Sequence, residues 1–376
     1  MPEEGDVGSA GEARVEPPGA AALHASAEVF ERYHWIMLRC FYDAAVDRLP
    51  DQTLPVLERG FRRYGVYRGQ HLRDSSGVLV DGRSAASLVR NWEGCDLWLA
   101  GVELQRTPTT VAVTYPAVPG GAYLRAHGSE AALHLYWDCV LEGMAEGFDA
   151  EAHVTVSDVT ADARRPWIVT WMHPRADERP INIVQQLSES KRAVQQIRHT
   201  TGLLAAFQMY VSRELIRAFD ATGEAIVRKA SYEFGAERGR AIRQRHEADG
   251  TPLTLASFMG GLQERDPSAA IFVFRGEGYL SDGAWYADCT YCPLAEVWSE
   301  EGAEGLRLGY MFDAPNHQGL FESYHPGVVV RWDSVKSRGD SVCKFRFTIP
   351  QLLTSEDPAP DAPLGARSRR PFIPAE

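Results

Sequence analysis

The sequence predicts an α+β fold made by tandem duplication of a helical segment followed by an antiparallel sheet unit. The main observation is an internal repeat: Tyr64-Gly65-Val66-Tyr67-Arg68-Gly69 matches Phe234-Gly235-Ala236-Glu237-Arg238-Gly239 at an offset of 170 residues. Similar helical segments precede both motifs, and segments with strand-like alternation follow them. Helices gathered at one end of each copy and strands at the other are typical of an α+β protein.

The repeat continues into the predicted strands, with small insertions that lengthen the offset to about 175 or 176. Val111-Ala112-Val113-Thr114-Tyr115 and Ile271-Phe272-Val273-Phe274 are rich in the β-branched and aromatic residues that favour strands. After a further helix, Trp167-Ile168-Val169 aligns with Cys343-Lys344-Phe345. Each copy therefore is predicted to end in a closing antiparallel pair of strands.

The longer offset of 175 or 176 aligns further positions of the two copies. Trp137-Asp138 aligns with Phe312-Asp313, and Phe148 aligns with Tyr324. In the first copy, Tyr115-Pro116 stands where the second has Cys292-Pro293, and Trp167 stands where the second has Cys343. The first copy is thus predicted to be a degenerate partner without the motif cysteines.

Composition shifts give the predicted boundaries. Gly, Ala, Pro and Glu dominate the beginning of the chain, and an Ala-Pro-rich run from Pro358 to Pro363 marks the other end. We expect a disordered tail over 1–25, the first repeat over 26–172, a linker over 173–201, the second repeat over 202–353 and a disordered tail over 354–376.

Charge and hydropathy exclude several classes of function. The formal net charge of -12 offers no clustered Lys and Arg for phosphates, so we expect no nucleic-acid partner. We find no apolar run near the ~20 residues that a membrane helix needs, and no basic segment leading into an apolar one, so we expect no membrane partner and a cytoplasmic location. In that compartment the six cysteines are expected to be reduced.

Half of the cysteines lie in two short motifs of the second copy. These are Asp288-Cys289-Thr290-Tyr291-Cys292-Pro293 and Gly339-Asp340-Ser341-Val342-Cys343-Lys344-Phe345-Arg346-Phe347. Pro293 suits the first position of a helix, which predicts that Cys292 lies at a helix N-terminus. A thiol there is expected to have a lowered pKa and to act as a nucleophile.

These motifs resemble the L-2-amino-thiazoline-4-carboxylic acid hydrolase family. The resemblance covers roughly Phe207 to Phe347 and includes the Cys-Pro before a helix, an Asp and His-Pro region, the Gly-Asp-x-x-Cys-x-Phe-x-Phe motif and the Phe-Gly-x-x-Arg-Gly motif at Phe234. It implies a cysteine-dependent, hydrolase-like opening of a cyclic amidine-like thiazoline ring. One departure is Tyr310-Met311-Phe312-Asp313, where family members often have a further cysteine three residues before the Asp. The resemblance therefore implies the reaction class rather than the thiazoline substrate itself.

Other polar residues of the second copy are candidates for proton transfer. His317 and His325 lie in the stretch from Asp313 to Pro326, which is predicted to be rich in loops. Histidine transfers protons near neutral pH, and Asp313 can fix its tautomer. The predicted catalytic set is therefore Cys292, Asp313, His317 and Cys343.

Four more residues are candidates for substrate binding, namely Cys289, Tyr310, Arg238 and Asp340. A guanidinium such as that of Arg238 can hold a carboxylate through two hydrogen bonds, although an Arg-rich helix is more often a solvated face. Asp340 follows Gly339, and a Gly-Asp pair between strands more often forms a turn. Strand alternation places Cys343 on an aromatic face, where it can simply be packed.

The sequence favours a hydrolase-like enzyme acting on C–N or C–S bonds of a small-molecule substrate, in specialised metabolite biosynthesis. It needs no cofactor, and a homo-oligomer is compatible with the sequence. The alternative is a ligand-sensing or scaffold protein in which Cys289, Cys292 and Cys343 hold zinc, since a Cys-x-x-Cys motif also serves metal and redox sites. The enzyme hypothesis predicts that Cys292 and Cys343 face a common cavity, with Asp313 or His317 on its rim.

Overall fold

The structure is a computed structural model of the 376-residue chain. It describes residues 20–74, 84–95, 103–157, 167–175, 189–265, 273–274 and 278–362. The helices are α1 (Ala20–Arg48), α2 (Pro50–Asp74), α3 (Ala85–Cys95), α4 (Gly121–Ala126), α5 (Glu130–Phe148), α6 (Glu189–Asp249), α7 (Leu255–Arg265), α8 (Pro293–Glu300) and α9 (Gly302–Tyr324). The strands are β1 (Glu103–Arg106), β2 (Thr110–Tyr115), β3 (His153–Val156), β4 (Trp167–Met172), β5 (Val273–Phe274), β6 (Tyr279–Leu280), β7 (Ala284–Tyr291), β8 (Trp332–Ser334) and β9 (Cys343–Thr348).

Two antiparallel sheets follow the helices, which confirms the α+β fold. The first has the strand order β1-β2-β4-β3, and the second has the order β5-β7-β9-β8 with β6 also paired to β7. In both sheets the last strand of its half of the chain, β4 or β9, is central and pairs with an earlier strand, β2 or β7. The predicted strand at 111–115 is β2, and the predicted strand at 271–274 is β5 as far as it lies within the described residues.

Local sequence explains where two matching helices begin. The Ser84 hydroxyl oxygen accepts the backbone N–H of Ser87 at 3.0 Å, and the Thr254 hydroxyl accepts that of Ser257 at 3.1 Å. Each bond satisfies a backbone donor that the first helical turn leaves unpaired, so these side chains cap α3 and α7. The two caps lie 170 residues apart, as the repeat motifs do.

The long helix α6 is interrupted in its middle. The backbone at Asp220 has φ 46° and ψ -122°, which is not helical. Nearby, the backbone of Gly223 lies against the carbonyl of Leu215, eight residues earlier, which a continuous helix would hold about 12 Å away. The chain therefore reverses at Asp220, and α6 forms a pair of helices comparable with α1 and α2.

Glycines allow the closest helix contacts in both halves. A Cβ on Gly65 of α2 would collide with the carbonyl oxygen of Val140 in α5, and a Cβ on Gly235 of α6 would collide with that of Asn316 in α9. Gly65 and Gly235 lie 170 residues apart, and their partners lie 176 apart. The glycines of the repeated motif thus let two backbones approach each other. This shared arrangement is what a duplication produces, and superposition of the halves is the measurement that tests that prediction.

The helices of the two halves share one hydrophobic core. Phe207 of α6 is stacked on Phe61 of α2, with ring centroids 5.7 Å apart, and meets Tyr64 edge-on at 5.4 Å. All three side chains are fully buried. A smaller core lies between the second sheet and the helices α7 and α9.

Some predicted boundaries differ from the structure. The helix α1 already begins at Ala20, inside the predicted tail, and α6 begins at Glu189, inside the predicted linker. The segment after 353 is not disordered throughout, since Asp357 accepts hydrogen bonds from Tyr279 at 2.8 Å and Ser281 at 2.6 Å. Composition did not predict the ordered segment around Asp357, because the hydrogen bonds that hold it come from residues 78 and 76 positions earlier. None of the described helices has the length and apolar character needed to cross a membrane.

We predict that Gly235→Ala lowers the free energy of unfolding by roughly 1–3 kcal/mol, because the new methyl group has to push α6 and α9 apart. Gly260→Ala is the matched control, since no atom of the described residues lies within 4 Å of a Cβ at that position of α7. It should leave the stability unchanged or raise it by about 0.5–1 kcal/mol. Urea unfolding measures both, and equal effects of the two substitutions would contradict the proposed close approach.

Candidate active site

Cys292 lies at the start of a helix, as the sequence predicts. It is the N-cap residue of α8, with extended backbone (φ -133°, ψ 114°), and Pro293 occupies the first helical turn. Its side chain packs against both hydrophobic cores, so it lies where the helices meet the second sheet. The short helix α8 then continues into α9, which carries the other candidate groups.

The other two cysteines lie side by side on neighbouring strands. Cys289 of β7 and Cys343 of β9 are directly opposite in the antiparallel register, and both are buried. The Cys289 thiol donates to the carbonyl oxygen of Tyr291 at 3.0 Å, and the Cys343 sulfur accepts the backbone N–H of Lys336 at 3.2 Å. The sulfur of Cys343 therefore already receives a donor that suits a thiolate.

The three thiols and one carboxylate lie close enough to affect one another electrostatically. Asp313 of α9 lies close enough to raise the pKa of Cys289, Cys292 and Cys343. The pKa of Cys292 is also raised by Cys289 and Cys343. We call Cys289, Cys292, Cys343 and Asp313 the thiol cluster.

The cysteines of the cluster are held as thiols rather than thiolates. Burial is the largest cause, and it raises the pKa of both Cys289 and Cys343 to about 12. Burial also raises the pKa of Cys292 well above its ordinary value, and the backbone N–H of Ala295 in the first turn opposes this rise only in part. The expectation of a lowered pKa for Cys292 is therefore wrong, because desolvation outweighs the helix terminus.

Asp313 is held by two side chains. The Ser337 hydroxyl donates to Asp313 Oδ2 at 3.1 Å, and His317 Nδ1 lies 3.3 Å from Asp313 Oδ1. The same Nδ1 lies 2.9 Å from the backbone carbonyl oxygen of Asp313, which can only accept, so Nδ1 carries a proton. In the neutral imidazole this leaves the lone pair on Nε2, the state needed to take up a proton.

The predicted loop around these residues is a helix. α9 continues to Tyr324 with Pro315 inside it, and Asp313 and His317 lie one turn apart on it. Pro, Asn and Gly in this stretch resemble loop composition, but packing against α6 overrides that local preference. His325 is the residue at which α9 ends, and its Nδ1 accepts the N–H of Gly327 at 3.0 Å.

The remaining predicted residues lie in three settings. Asp340 accepts the N–H of Val335 at 2.7 Å, next to Gly339 with φ 93°, so it closes a turn. Tyr310 of α9 lies under the guanidinium of Arg338, 5.4 Å from its ring centroid. The guanidinium of Arg238 lies 4.2 Å from the ring centroid of Tyr33 in α1. Arg238 is thus at the contact between the halves, and we do not include it in the site.

Sequence reasoning missed Lys336 and Ser337, which belong to the 3-10 turn Lys336–Arg338 between β8 and β9. The Lys336 ammonium donates to the carbonyl oxygen of Thr290, between the two cysteines of the Cys-x-x-Cys motif, at 3.1 Å. Ser337 is fully buried against Asp313. The only signal for either residue was the polar run before Gly339, which is equally typical of a solvated turn.

The first half has aromatic side chains at the matching positions. Tyr115 lies opposite Trp167 in the register of β2 and β4, as Cys289 lies opposite Cys343. Their rings are 5.1 Å apart, and Trp137 lies 5.0 Å from Trp167. Tyr115 therefore matches Cys289 rather than Cys292, which corrects the predicted alignment.

The alignment of the last helices also shifts by one residue. The helix contacts at Val140 and Asn316 set the offset at 176, so Trp137 matches Asp313. The first half therefore fills the place of the thiol cluster with large buried rings.

Among the described residues, one set of three His, Cys, Asp or Glu ligand atoms lies within 4.8 Å, and it consists of Asp149, Glu151 and His173. His173 Nδ1 accepts the N–H of Arg175 at 3.0 Å, so the proton of the neutral ring is on Nε2, 3.8 Å from Asp149. A protonated nitrogen is no metal ligand, and this geometry fits a buried His–Asp pair better. The three cysteines of the zinc alternative do not form such a set.

The fold and site define an α+β protein with a buried cysteine and carboxylate cluster in its second half. Residues 202–347 match the family model described as L-2-amino-thiazoline-4-carboxylic acid hydrolase. This confirms the resemblance for the second half, and the match runs from α6 to β9, including the whole thiol cluster. Neither the curated proteins nor the solved structures yielded a significant match.

The raised thiol pKa values predict a pH-dependent stability. Between the ordinary value of 9.0 and about 12, Cys343 keeps its proton in the folded protein and loses it in the unfolded chain. Unfolding then releases a proton, so the stability contributed by this group falls as pH rises through that window.

We therefore expect the stability deficit of Cys343→Ala relative to the unmodified protein to shrink as pH rises from 8 to about 11. Thermal unfolding at both pH values measures this. Val342→Ala is the control, since it removes a buried neighbour that does not titrate, and its deficit should stay constant. A deficit of Cys343→Ala that is equally constant would show that its thiol does not have a raised pKa.

Proposed function

We propose that this protein is a hydrolase-like enzyme in which Cys292 attacks an electrophilic carbon of a small C–N or C–S substrate. The observation that carries the proposal is the thiol cluster itself, because it joins a cysteine at a helix N-terminus to a carboxylate within the residues that match the hydrolase family. The family match supports a hydrolase-like reaction, and the cysteine-dependent mechanism is our proposal. Specialised metabolite biosynthesis remains its proposed context.

The chemistry assigned to the cluster begins from a neutral thiol. Asp313 accepts the proton of Cys292 as the sulfur forms a bond to the carbon, so charge is not built up on a buried thiolate before attack. The C–N or C–S bond then breaks, and the leaving atom takes the proton that Asp313 received. Water adds to the carbon, the bond to sulfur breaks, and the thiol is restored.

Two features of the site support these roles. Ser337 and His317 fix the carboxylate of Asp313, which reduces the reorganisation needed for proton transfer. Negative charge that develops near Cys292 during the reaction lies at the first turn of α8, where backbone N–H groups stabilise it. His317 Nε2 is the proposed second proton carrier.

We predict that Cys292→Ala lowers turnover by several orders of magnitude, because no other atom at the helix start can form the covalent adduct. The assay is hydrolysis of a panel of cyclic amidines, thiazolines and related amides. Cys139→Ala is the matched control, since Cys139 is also a half-buried free cysteine but lies on α5 of the first half. It should retain nearly full turnover, and normal turnover by Cys292→Ala would remove this cysteine as the nucleophile.

The role of Asp313 gives a second prediction in which two effects have opposite signs. Asp313→Asn removes a negative charge that raises the pKa of Cys292, so this thiol should ionise at lower pH. If Asp313 is the base, turnover should still fall by about 10²–10⁴ near neutral pH. A pH–rate profile combined with thiol alkylation separates the effects, and faster alkylation with undiminished turnover would show that Asp313 only repels the thiolate.

A further inference from the structure

Lys336 occupies a position in the site that no sequence motif indicated. Its side chain is largely buried, with 19% of its surface exposed. The ammonium reaches from the 3-10 turn to the end of β7 and donates to the carbonyl oxygen of Thr290 at 3.1 Å. The backbone N–H of the same residue donates to Cys343 at 3.2 Å. One residue thus contacts both sulfur-bearing segments of the site, through its side chain and its main chain.

We propose that Lys336 is a positioning residue whose ammonium stabilises negative charge on the thiol cluster and whose turn holds Cys343 in place. The proposal rests on the proposed function, because it assigns to Lys336 the positive charge that offsets negative charge developing at the thiol cluster during the reaction. It goes beyond that function by naming a group outside the nucleophile and base.

The charges around Lys336 explain why one cation matters here. Asp313 of α9 faces the thiols, Asp340 of the turn lies next to Cys343, and Glu296 of α8 lies 3.8 Å from the Lys336 ammonium. Asp313 and Asp340 disfavour a negative charge on Cys343, and Cys343 in turn disfavours one on Cys289. Lys336 opposes them, and its charge acts to lower the pKa of both Cys289 and Cys343.

The geometry also limits what the ammonium can do. Its bond to the Thr290 carbonyl holds it over the Cys-x-x-Cys segment, so the charge has a fixed place rather than a mobile one. Glu296 is half-exposed and competes with the sulfurs for the same ammonium. Removing Glu296 should therefore strengthen the stabilisation of negative charge on the thiol cluster by Lys336, whereas removing Lys336 should weaken it.

The test is the rate at which a small reagent alkylates Cys289 and Cys343 at pH 8–9, followed by mass spectrometry of the cysteine peptides. A lysine side chain carries its charge at this pH, and the alkylation rate follows the fraction of thiolate. Lys336→Gln should slow the alkylation of both cysteines about tenfold, because the thiolates lose a neighbouring positive charge. Lys336→Arg should restore most of the difference, since it keeps the charge.

Three controls separate this role from a structural one. Lys344→Gln, on β9 next to Cys343, should leave the alkylation rates unchanged. Glu296→Gln should raise them, because the Lys336 ammonium no longer pairs with Glu296, and the increase should shrink in the double variant with Lys336→Gln. Glu296 is half-exposed, so this variant should keep its fold even if Lys336→Gln does not.

An unchanged alkylation rate in folded Lys336→Gln, an unchanged rate in Glu296→Gln, or a Glu296→Gln effect of equal size with and without Lys336 would each overturn the proposal. The experiment needs no substrate. Its failure would leave the role of Cys292 in place, and normal turnover by Cys292→Ala would leave the electrostatic role of Lys336 in place.

Discussion

The close contact between α6 and α9 is the constraint on which the candidate site depends. Gly235 lets the backbone of α6 touch the backbone of α9 at Asn316, and the second glycine of the motif, Gly239, does the same at Leu320. With one face of α9 fixed against α6, Asp313 and His317 are presented to the second sheet, where His317 lies 5.8 Å from the ring of Phe345. A larger side chain at the crossing would move the carboxylate away from the cysteines. The glycine motif thus contributes no reactive group, but it helps to set the distance between the Asp313 carboxylate and the cysteines.

The same scaffold supports two different interiors. In the first half, Trp137, Tyr115 and Trp167 take the places of Asp313, Cys289 and Cys343, and their rings fill the space between helix and sheet. In the second half, smaller and more polar side chains occupy that space. Burying aromatic rings stabilises a domain, whereas burying thiols beside a carboxylate costs free energy. The shared helical core, in which Phe207 packs on Phe61, allows the first half to support the second.

Short-range signals in the sequence predicted the parts of the structure that depend on neighbours along the chain. Pro293 marked the start of α8 directly after Cys292, and Gly339 with Asp340 marked a turn that the positive φ of Gly339 bears out. The repeated glycines marked two equivalent helix contacts. The helix around Pro315 was missed because Pro, Asn and Gly resemble a loop locally, and only its packing against α6 decides the outcome.

Long-range electrostatics could not be predicted in the same way. The position of Cys292 at a helix N-terminus correctly follows from the sequence, but the direction of its pKa depends on how much water the fold removes and on Asp313, 21 residues later. Lys336 and Ser337 reach the cluster from a turn whose sequence is ordinary. Their roles follow from which strands are paired, since β9 brings Cys343 and the preceding turn to the end of β7.

The raised thiol pKa values also limit the order of chemical events. A permanent thiolate at this site would have to overcome burial and the charge of Asp313, so a mechanism that begins with a thiolate would use only a small fraction of the molecules near neutral pH. If the proton moves to Asp313 as the sulfur attacks, the carboxylate that opposes the thiolate becomes neutral in the same step. The repulsion that raises the resting pKa is then relieved in the transition state, and an interaction relieved there accelerates the reaction. Lys336 would contribute in the same direction, because its ammonium remains when the charge of Asp313 is lost.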